Sequence, residues 1–371
     1  MSLDIQGLSL MYDHHMIINN LNLFVEQGEL LALIGASGSG KTTLMKAIAG
    51  LLSPYEGKIY INDQDVTHIP AYQRNVAIVF QDLRLFPHLT VSQNIAFPLK
   101  IKGMAKKDYL PIVDQLLKDV HLSEMGHRNI SSLSGGQKQR IAMARALASK
   151  PDILLLDEPF SGLDESLRES MGDFIAQLQS QHQLTTLLIT HDKREAMRYA
   201  DRIALLYQGD IHQLSAPDIL LERPCDHYTA DFLGTYNAFK GSIDEMQLTT
   251  DYFTYDIGQH QDLLNHLSTH HLTKGDVDVV IRPKQLTLSL QASQLCDILS
   301  WAARVIDIVM KVDYIEITVN TSYHQAFIVN MNQREFNHLQ IQVGDCVYVH
   351  CHPNDLWIVE PKAKEESHEV F

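Results

Sequence analysis

Residues Gly35–Thr42, read as Gly-Ala-Ser-Gly-Ser-Gly-Lys-Thr, have the types and the spacing of a phosphate-binding loop. The apolar run Leu30–Ile34 before them is typical of a buried strand, and residues 43–49 after them favour a helix. In a strand, glycine turn and helix arranged this way, backbone N–H groups and a helix N-terminus converge on phosphate oxygens. The sequence therefore predicts a nucleoside triphosphate site here.

Two side chains at the end of this loop carry the expected chemistry. The ammonium group of Lys41 can neutralise the β- and γ-phosphates, and the hydroxyl of Thr42 can be offered to Mg²⁺. The alternative is a glycine-rich turn with a chance lysine. The agreement of both flanking segments with the motif favours the phosphate site.

A second run of the chain ends in two acidic residues. Ile153–Leu156 is continuously apolar, and Asp157 and Glu158 follow it directly. A carboxylate at the carboxyl end of a buried strand, beside the strand of the phosphate loop, is suited to Mg²⁺. We expect Asp157 to hold the metal, directly or through water, and Glu158 to polarise the attacking water. The alternative is a strand that ends in an ordinary charged turn.

A third motif lies between the first two. Leu133-Ser134-Gly135-Gly136-Gln137 places a serine and two glycines at the start of a predicted helix. Such a helix start can bind an anion, although alone it would be an ordinary helix cap. Its position between the phosphate loop and the acidic pair indicates a second anion site.

The pattern of elements changes along the chain. Up to about residue 235, continuous apolar strands alternate with helices, which predicts a parallel sheet covered on both faces. From 236 onward, short alternating runs predict a small β-barrel or sandwich, with one possible helix at 260–268. The charged segment 361–371 is predicted to be loose. We expect two domains, 1–235 and 236–371.

Composition limits the possible functions. The chain has 371 residues, 45% of them hydrophobic, which fits a globular protein with two domains. Its formal net charge of −15 argues against general nucleic-acid binding, which needs a basic surface. No secretory signal and no membrane-spanning run is predicted. Four scattered cysteines follow neither zinc nor disulfide spacing: Cys225, Cys296, Cys346 and Cys351.

Taken together, the motifs resemble the ATPases of the ABC transporter family. Residues 35–43 match the Walker A loop, Leu154–Glu158 match Walker B, and Leu133–Gln137 match the family signature in full. Tyr12 matches the aromatic residue that stacks on adenine, and Gln81 matches the Q-loop glutamine. Further matches are the D-loop, Ser161-Gly162-Leu163-Asp164, with Gly162 where alanine is commoner, and the switch histidine, His191.

The resemblance implies a fold and a set of site residues. The fold is an α/β P-loop cassette with a parallel core sheet, an antiparallel β subdomain and a helical subdomain at about 85–150. The catalytic residues would be Glu158, His191 and Gln81, and Mg²⁺ would be held by Thr42, Gln81 and Asp157. The implied nucleotide-binding residues are Tyr12, Gly35, Ala36, Ser37, Gly38, Ser39, Gly40, Lys41, Thr42, Thr43, Ser134, Gly135, Gly136, Gln137 and Asp164.

The resemblance also implies partners. Two copies would pair head to tail with two ATP molecules between them, so that each ATP meets one copy's phosphate loop and the other copy's Ser134–Gln137. Integral membrane permease subunits would dock on the chain at the cytoplasmic face of the inner membrane, and a periplasmic substrate-binding protein would act indirectly. Leu85–Val91 is similar to the importer stretch that meets these subunits, although packing within the helical subdomain is an equal alternative.

The second domain resembles the transport-associated OB-like (TOBE) domain of importer ATPases, an all-β fold that would support dimerisation or regulation. Val280-Ile281-Arg282-Pro283 is similar to a recurrent motif there, with Lys284 where glutamate is usual. Residues 344–349 and 353–355 are similar to that domain's last strand and turn. His350-Cys351-His352 has no spacing for a closed metal site, so we expect these side chains to be packed or solvated.

The cargo is the least determined feature of the sequence. Ferric-iron importers are most similar in Ile34–Gly38, Leu85–Val91 and Lys311–Ile317. Importers of sulfate, polyamines, phosphonates and sugars share nearly the same cassette and remain alternatives. ABC-type ATPases that act on nucleic acid usually carry coiled coils, zinc modules or a second cassette, none of which this sequence indicates.

Overall fold

The computed structural model describes residues 2–12, 14–234, 236–259, 261–269, 272–292 and 298–361. Internal contacts divide the chain into two compact units, residues 1–220 and 221–371. This division lies earlier than the predicted domain boundary at 235–236. Residues 362–371, most of the segment predicted to be loose, lie outside the described residues.

The first unit contains ten strands in two sheets. Their bounds are β1 (Leu3–Tyr12), β2 (His15–Val25), β3 (Leu30–Ile34), β4 (Glu56–Ile61), β5 (Gln64–Asp65), β6 (Val76–Val79), β7 (Ile153–Asp157), β8 (Thr185–Ile189), β9 (Arg202–Tyr207) and β10 (Asp210–Ser215). One sheet has the order β2-β1-β4-β5 and is antiparallel. The other has the order β10-β9-β3-β8-β7-β6 and is parallel except for β10.

The parallel sheet confirms the prediction of an α/β core. Every residue of β3 and β8 is buried, as expected of strands that are covered on both faces. Ala32 of β3 pairs with Leu188 of β8 on one side and with Ile203 of β9 on the other. Because parallel neighbours end at the same edge, the loops after β3, β7 and β8 emerge together.

Helices cover this core. Their bounds are α1 (Lys41–Ile48), α2 (Val91–Ile101), α3 (Lys106–Asp119), α4 (Gly135–Ala148), α5 (Glu165–His182), α6 (Lys193–Tyr199) and α7 (Pro217–Glu222), the last of which spans the division between the units. The helices α2, α3 and α4 share one hydrophobic core with β6 and β7. These three helices lie within the predicted helical subdomain. Thr90 caps the first of them, α2, through a capping box with Gln93.

The second unit is built from two antiparallel five-stranded sheets. Their orders are β13-β12-β11-β14-β20 and β15-β19-β16-β17-β18. The bounds are β11 (Asn237–Asp244), β12 (Gln247–Thr250), β13 (Thr254–Asp256), β14 (Gly275–Ile281), β15 (Leu286–Ser289), β16 (Leu299–Met310), β17 (Ile315–Thr321), β18 (Ala326–Met331), β19 (Cys346–Cys351) and β20 (Trp357–Val359). The helices are α8 (His227–Leu233), α9 (Gln261–Thr269) and α10 (Gln333–Leu339).

The core of the second unit is rich in aromatic residues. The rings of Phe239, Tyr252, Trp301 and Phe327 lie with centroids 5.3–6.4 Å apart, and Phe327 is fully buried. Such edge-to-face and tilted pairs add stability beyond the apolar area that they bury. The β-rich prediction is confirmed, and α9 matches the predicted helix at 260–268. The sequence analysis did not identify α10 or the strands β11–β13.

Among the described residues, no helix combines the length and the apolar character that crossing a membrane requires.

Candidate functional site

The phosphate loop joins the end of β3 to the start of α1. Gly35 has a φ of +153° and Gly40 a φ of +105°, which L side chains rarely adopt. A Cβ atom on Gly35 would lie 2.3 Å from the carbonyl oxygen of Leu206, and one on Gly40 would lie 2.7 Å from Cδ1 of Ile18. Glycine is therefore required at both positions by backbone conformation and by close packing.

Lys41 is the first residue of α1, and its side chain is buried beneath the loop. Its Nζ donates hydrogen bonds to the carbonyl oxygens of Gly35 at 2.8 Å and Ala36 at 2.9 Å. Burial lowers the pKa of Lys41, and the charges of Glu158 and Asp157 act in the opposite direction. The ammonium group is thus held by the loop, close to two carboxylates.

A cavity of about 1020 Å³ opens over the loop and the start of α1. Nine of the predicted site residues line it: Tyr12, Ser37, Gly38, Gly40, Lys41, Thr42, Thr43, Glu158 and His191. The side chain of Tyr12 is exposed, so its ring face is accessible for stacking. Five other predicted residues do not line the cavity: Gly35, Ala36 and Ser39 of the same loop, Gln81 after β6, and Asp157 at the end of β7.

The acidic pair lies at the end of β7, as predicted. Glu158 has a φ of +45°, an uncommon value for a residue with a side chain, and its N–H donates to the carbonyl oxygen of Ile189 at 2.9 Å. Nδ1 of His191 lies 3.1 Å from Oε1 of Glu158. The structure therefore brings together the ends of β7 and β8, and with them Glu158 and His191, two of the three residues predicted to be catalytic.

Asp157, predicted to be a metal ligand, is a half-buried carboxyl group beside Glu158. Burial raises its pKa, the negative charge of Glu158 raises it further, and Lys46 and Arg84 lower it. A half-buried carboxyl group of this kind is more easily ionised when a cation is bound beside it. The three predicted metal ligands, Thr42, Gln81 and Asp157, supply hydroxyl, amide and carboxylate oxygens, which are the donors that Mg²⁺ prefers. These residues fit Mg²⁺ by donor type.

Gln81 follows β6 and is exposed. Its Nε2 donates to Oγ of Ser161 at 3.0 Å, which leaves Oε1 as its accepting atom. This bond connects the Q-loop glutamine to the first residue of the D-loop. Asp164, the last residue of that loop, caps α5 by accepting a hydrogen bond from the N–H of Leu167 at 2.9 Å. In this chain the Asp164 carboxylate acts as a helix cap.

The signature residues begin α4 as predicted. Oγ of Ser134 accepts from the N–H of Gln137 at 3.4 Å, and Oε1 of Gln137 accepts from the N–H of Ser134 at 3.1 Å. This reciprocal capping box fixes the start of the helix. Ser134 and Gly135 are exposed, and Gly136 is buried against Leu167. None of Ser134, Gly135, Gly136 and Gln137 lines the cavity of its own chain.

The cavity is also lined by seven residues that the sequence analysis did not identify as site residues: Ile17, Lys46, Leu51, Leu52, Phe80, Arg84 and Ile189. Lys46 lies four residues after Thr42 on α1, and this spacing could have predicted a shared helix face. The guanidinium carbon of Arg84 lies 3.8 Å from the ring centroid of Phe80, and its Nε lies 3.2 Å from Oδ1 of Asp82. The position of Arg84 depends on a loop conformation that has no local sequence signal.

The stretch predicted to meet membrane subunits is partly packed into the helical layer. Leu85 contacts that layer's core, and the rings of Phe86 and Phe97 lie 4.3 Å apart. Pro87 and His88 are exposed. Packing within the helical subdomain therefore accounts for Leu85 and Phe86, and docking of membrane subunits at the exposed residues stays a prediction.

Two residues of the His350-Cys351-His352 segment, His350 and Cys351, are packed, and His352 is exposed. Nε2 of His350 and Oγ of Ser289 form a hydrogen bond of 2.6 Å, and burial lowers the pKa of His350. Cys351 is buried, and burial raises the pKa of its thiol. These side chains serve the core of the second unit.

Comparison with known proteins agrees with this geometry. The family profile described as "ABC transporter" matches residues 18–161. The Fe(3+) ions import ATP-binding protein FbpC of Vibrio cholerae serotype O1 is 36% identical over 343 residues, covering 92% of this chain and 93% of that protein. The sulfate/thiosulfate import ATP-binding protein CysA of Bacillus cereus is 36% identical over 353 residues, covering 94% and 96%.

A solved structure matches the first part of the chain. The dimeric post-hydrolysis state of the ATP-binding cassette MJ0796, bound to ADP and Pi, is 29% identical with a TM-score of 0.51. The match covers 58% of this chain and 98% of that one. The chain therefore belongs to the ABC transporter family, as one of its ATP-binding, ATP-hydrolysing proteins.

Proposed function

We propose that the chain is the ATPase subunit of an importer that takes up ferric iron across the inner membrane. The observation that carries this proposal is the 36% identity to a Fe(3+) ions import ATP-binding protein over 92% of the chain. The matched 343 residues exceed the length of the first unit, so the similarity extends into the second unit. The cassette would supply the energy, and the cargo would be handled by other subunits.

The residues of the cavity have distinct proposed roles. Lys41 and the backbone of the loop neutralise the phosphates, and Tyr12 stacks on the adenine. Glu158 orients and polarises the attacking water, and His191, in contact with Glu158, reaches the γ-phosphate. Thr42, Asp157 and Oε1 of Gln81 would hold Mg²⁺, whose charge would offset negative charge on the phosphates.

We propose that the site is completed by a second copy of the chain. Ser134 and Gly135 are exposed at the N-terminus of α4 and lie outside their own chain's cavity. A helix N-terminus with free N–H groups favours an anion, and the γ-phosphate of the partner's ATP is one. Asp164, at the start of α5, would lie at the same dimer interface. ATP binding then favours the closed pair, and hydrolysis reopens it.

The other proposed partners follow from the importer assignment. Integral membrane permease subunits would contact residues 85–91, where Pro87 and His88 are exposed. A periplasmic substrate-binding protein would act only through the permease. The chain would be a peripheral protein of the cytoplasmic membrane face. No nucleic-acid partner is proposed, since the net charge of −15 opposes one.

Sulfate is the second candidate cargo. The sulfate/thiosulfate import protein CysA has the same identity, 36%, over a comparable share of both chains. The ATPase does not touch the cargo, so its own site cannot discriminate between the two. Measuring the transport of each candidate cargo, ferric iron and sulfate, distinguishes between them.

The experiment is uptake in a strain that lacks this chain, measured with radiolabelled ferric iron and, separately, with radiolabelled sulfate. The wild-type chain should restore ferric iron uptake, and the Glu158→Gln variant, produced at the same level, should not. Restoration of sulfate uptake alone would replace the proposed cargo. Restoration of neither, with ATP hydrolysis intact, would contradict both.

A further inference from the structure

Arg168, on the first turns of α5, contacts two loops of the proposed catalytic site. Its Nη2 donates to the carbonyl oxygen of Leu163, in the D-loop, at 3.2 Å. Its Nη1 lies 3.4 Å from Oδ2 of Asp192, the residue after His191. Its Nε lies 3.7 Å from Oε1 of Glu195 on α6. One guanidinium group therefore connects the D-loop to the turn that carries His191.

That turn is held on both sides of His191. The Thr190 hydroxyl and the Glu195 carboxylate form a short hydrogen bond. Oγ1 of Thr190 also accepts from the N–H of Asp192 at 3.0 Å. Asp192 in turn caps α6 by accepting from the N–H of Arg194 at 2.8 Å. The two sequence neighbours of His191 are thus bonded to each other and to the start of α6.

The D-loop is also held at both ends. Ser161 accepts from Gln81, and Asp164 is fixed as the cap of α5. Leu163, between them, is the residue whose carbonyl Arg168 contacts. A displacement of the D-loop would therefore pull on Arg168, and through it on Asp192.

The charged groups around Arg168 make its link between the D-loop and the His191 turn depend on the position of the guanidinium group. Asp192 and Glu195 are mostly buried, and Glu165 lies 3.6 Å from Nη1 at the surface. Arg194 also contacts Asp192, but its side chain is mostly exposed. Nε of Arg168 is buried and has no hydrogen-bond partner, although the carboxylate of Glu195 is only 3.7 Å away. A small shift of the side chain would convert this ion pair into a charge-assisted hydrogen bond.

We propose that Arg168 is a positioning residue, which couples the conformation of the D-loop to the placement of His191 against Glu158. Its planar fork suits this task, because separate N–H groups face the Leu163 carbonyl, Asp192 and Glu195. A lysine has one point of contact and cannot make these contacts together. When the D-loop meets a second copy of the chain, Arg168 transmits that contact to the turn at 190–192.

The inference rests on the proposed roles of His191 and Glu158 in ATP hydrolysis. Arg168 touches neither the phosphate loop nor the cavity, so its loss should slow turnover and leave ATP binding intact. Misplacement of a catalytic group by about 1 Å can cost roughly 100-fold in rate. We expect Arg168→Gln to lower kcat by about 10-fold or more, with KM for ATP unchanged within about twofold.

The experiment compares purified full-length variants in steady-state ATP hydrolysis and in thermal melting. Arg168→Lys should fall between the wild type and Arg168→Gln. The matched control is Arg198→Gln. Arg198, on α6, also bridges to α5, through Glu169 at 2.6 Å and Asp173 at 3.2 Å, but it contacts neither loop. Its variant should turn over ATP at the wild-type rate.

A double-mutant cycle separates positioning from general stability. If Arg168 acts through His191, Arg168→Gln should add less than about a twofold loss of kcat in the His191→Ala background. The proposal would be overturned if kcat of the double variant fell by the product of the two single-variant losses. It would also be overturned if Arg168→Gln kept the wild-type kcat. If Arg168→Gln does not fold, the same cycle with Arg168→Lys decides. Absence of hydrolysis by the wild-type chain would instead overturn the proposed function itself.

Discussion

The two units of the chain use their strand ends differently. In the first unit, the parallel strands β3, β7 and β8 end at one edge of the sheet, and each is followed by polar groups that line or flank one cavity. In the second unit, neighbouring strands are antiparallel, so successive strand ends alternate between edges. The comparison shows why a parallel sheet concentrates chemistry and an antiparallel one supports packing.

Two glutamates, one in each unit, illustrate this difference. Glu158 and Glu245 both have a φ of +45°. Glu158 follows a buried parallel strand and faces His191 at 3.1 Å. Glu245 lies in the exposed turn between β11 and β12. The same residue type in the same backbone conformation is therefore part of a site in one unit and of a hairpin turn in the other.

The largest expected effect is that of Glu158→Gln. Removing a general base typically costs about 10²–10⁴-fold in rate, so ATP turnover should fall by roughly this factor. ATP binding should persist, because the amide is isosteric and Lys41 is unchanged. The measurements are steady-state ATP hydrolysis and equilibrium nucleotide binding. We also expect the variant to accumulate as an ATP-bound dimer in size-exclusion chromatography.

Glu245→Gln is the matched control and should hydrolyse ATP at the wild-type rate. Near-normal hydrolysis by Glu158→Gln would remove Glu158 from the proposed catalytic role. A comparable loss in Glu245→Gln would show that the second unit contributes to the chemistry, and the contrast between the two units would be wrong.

Much of the first unit could be predicted because its chemistry is local in sequence. The phosphate loop, the acidic pair after Ile153–Leu156 and the capping box at Ser134 each lie within a few consecutive residues. The apolar runs before them fix the strand ends, and parallel pairing then brings those ends together. Glu158 and His191, which are distant in sequence, line one cavity for this reason.

What could not be predicted depends on contacts between distant segments. Arg168 looks like an ordinary helix-surface cation in the sequence, and its partners are Leu163, Asp192 and Glu195. Strands β12 and β13 are only 4 and 3 residues long and carry exposed Gln and Thr residues, so their sequences hold little alternation. The assignment of β11 depends on its pairing with β14, a distant segment of the chain. No local pattern specifies such a pairing.

The next expected effect comes from removing the second unit. A chain that ends at Glu222 keeps α7 whole and should bind ATP as the full-length chain does, because the described cavity is lined only by residues of the first unit. If the second unit supports pairing, the shortened chain should require about 10-fold more protein to reach half-maximal turnover. The measurement is ATP hydrolysis against protein concentration.

A chain that ends at Leu233 provides the comparison. It retains α8, but it loses Asp278, which lies 2.7 Å from Nε2 of His227, and Trp357, whose Nε1 donates to the carbonyl oxygen of Pro224 at 2.9 Å. We expect this chain to bind ATP equally well but to aggregate more readily, since α8 then exposes surface that the rest of the second unit covers. Loss of ATP binding in either chain would show that the second unit completes the nucleotide site.

The smallest expected effect concerns the half-buried carboxyl group of Asp157, whose folded-state pKa is raised by burial and by Glu158. Below about pH 4 the carboxyl group is neutral in both the folded and the unfolded chain, so it does not lower the free energy of unfolding there. As the pH rises, Asp157 ionises in the unfolded chain while it is still protonated in the folded chain. The free energy of unfolding therefore decreases with pH until the pH reaches the raised pKa of the folded state.

Asp157→Asn removes this cost. Without nucleotide or divalent cation, the variant should melt about 2 °C above the wild type at pH 7 and equally with it at pH 4. Asp63→Asn, in an exposed turn, is the control and should show no such divergence. With Mg²⁺ and ATP present the order should reverse, because binding stabilises only a chain that keeps the metal ligand. An Asp157→Asn variant stabilised by Mg²⁺ and ATP as strongly as the wild type would exclude Asp157 as that ligand. The polar residues at the end of β7 would then form only a turn, as the polar residues between β11 and β12 of the second unit do.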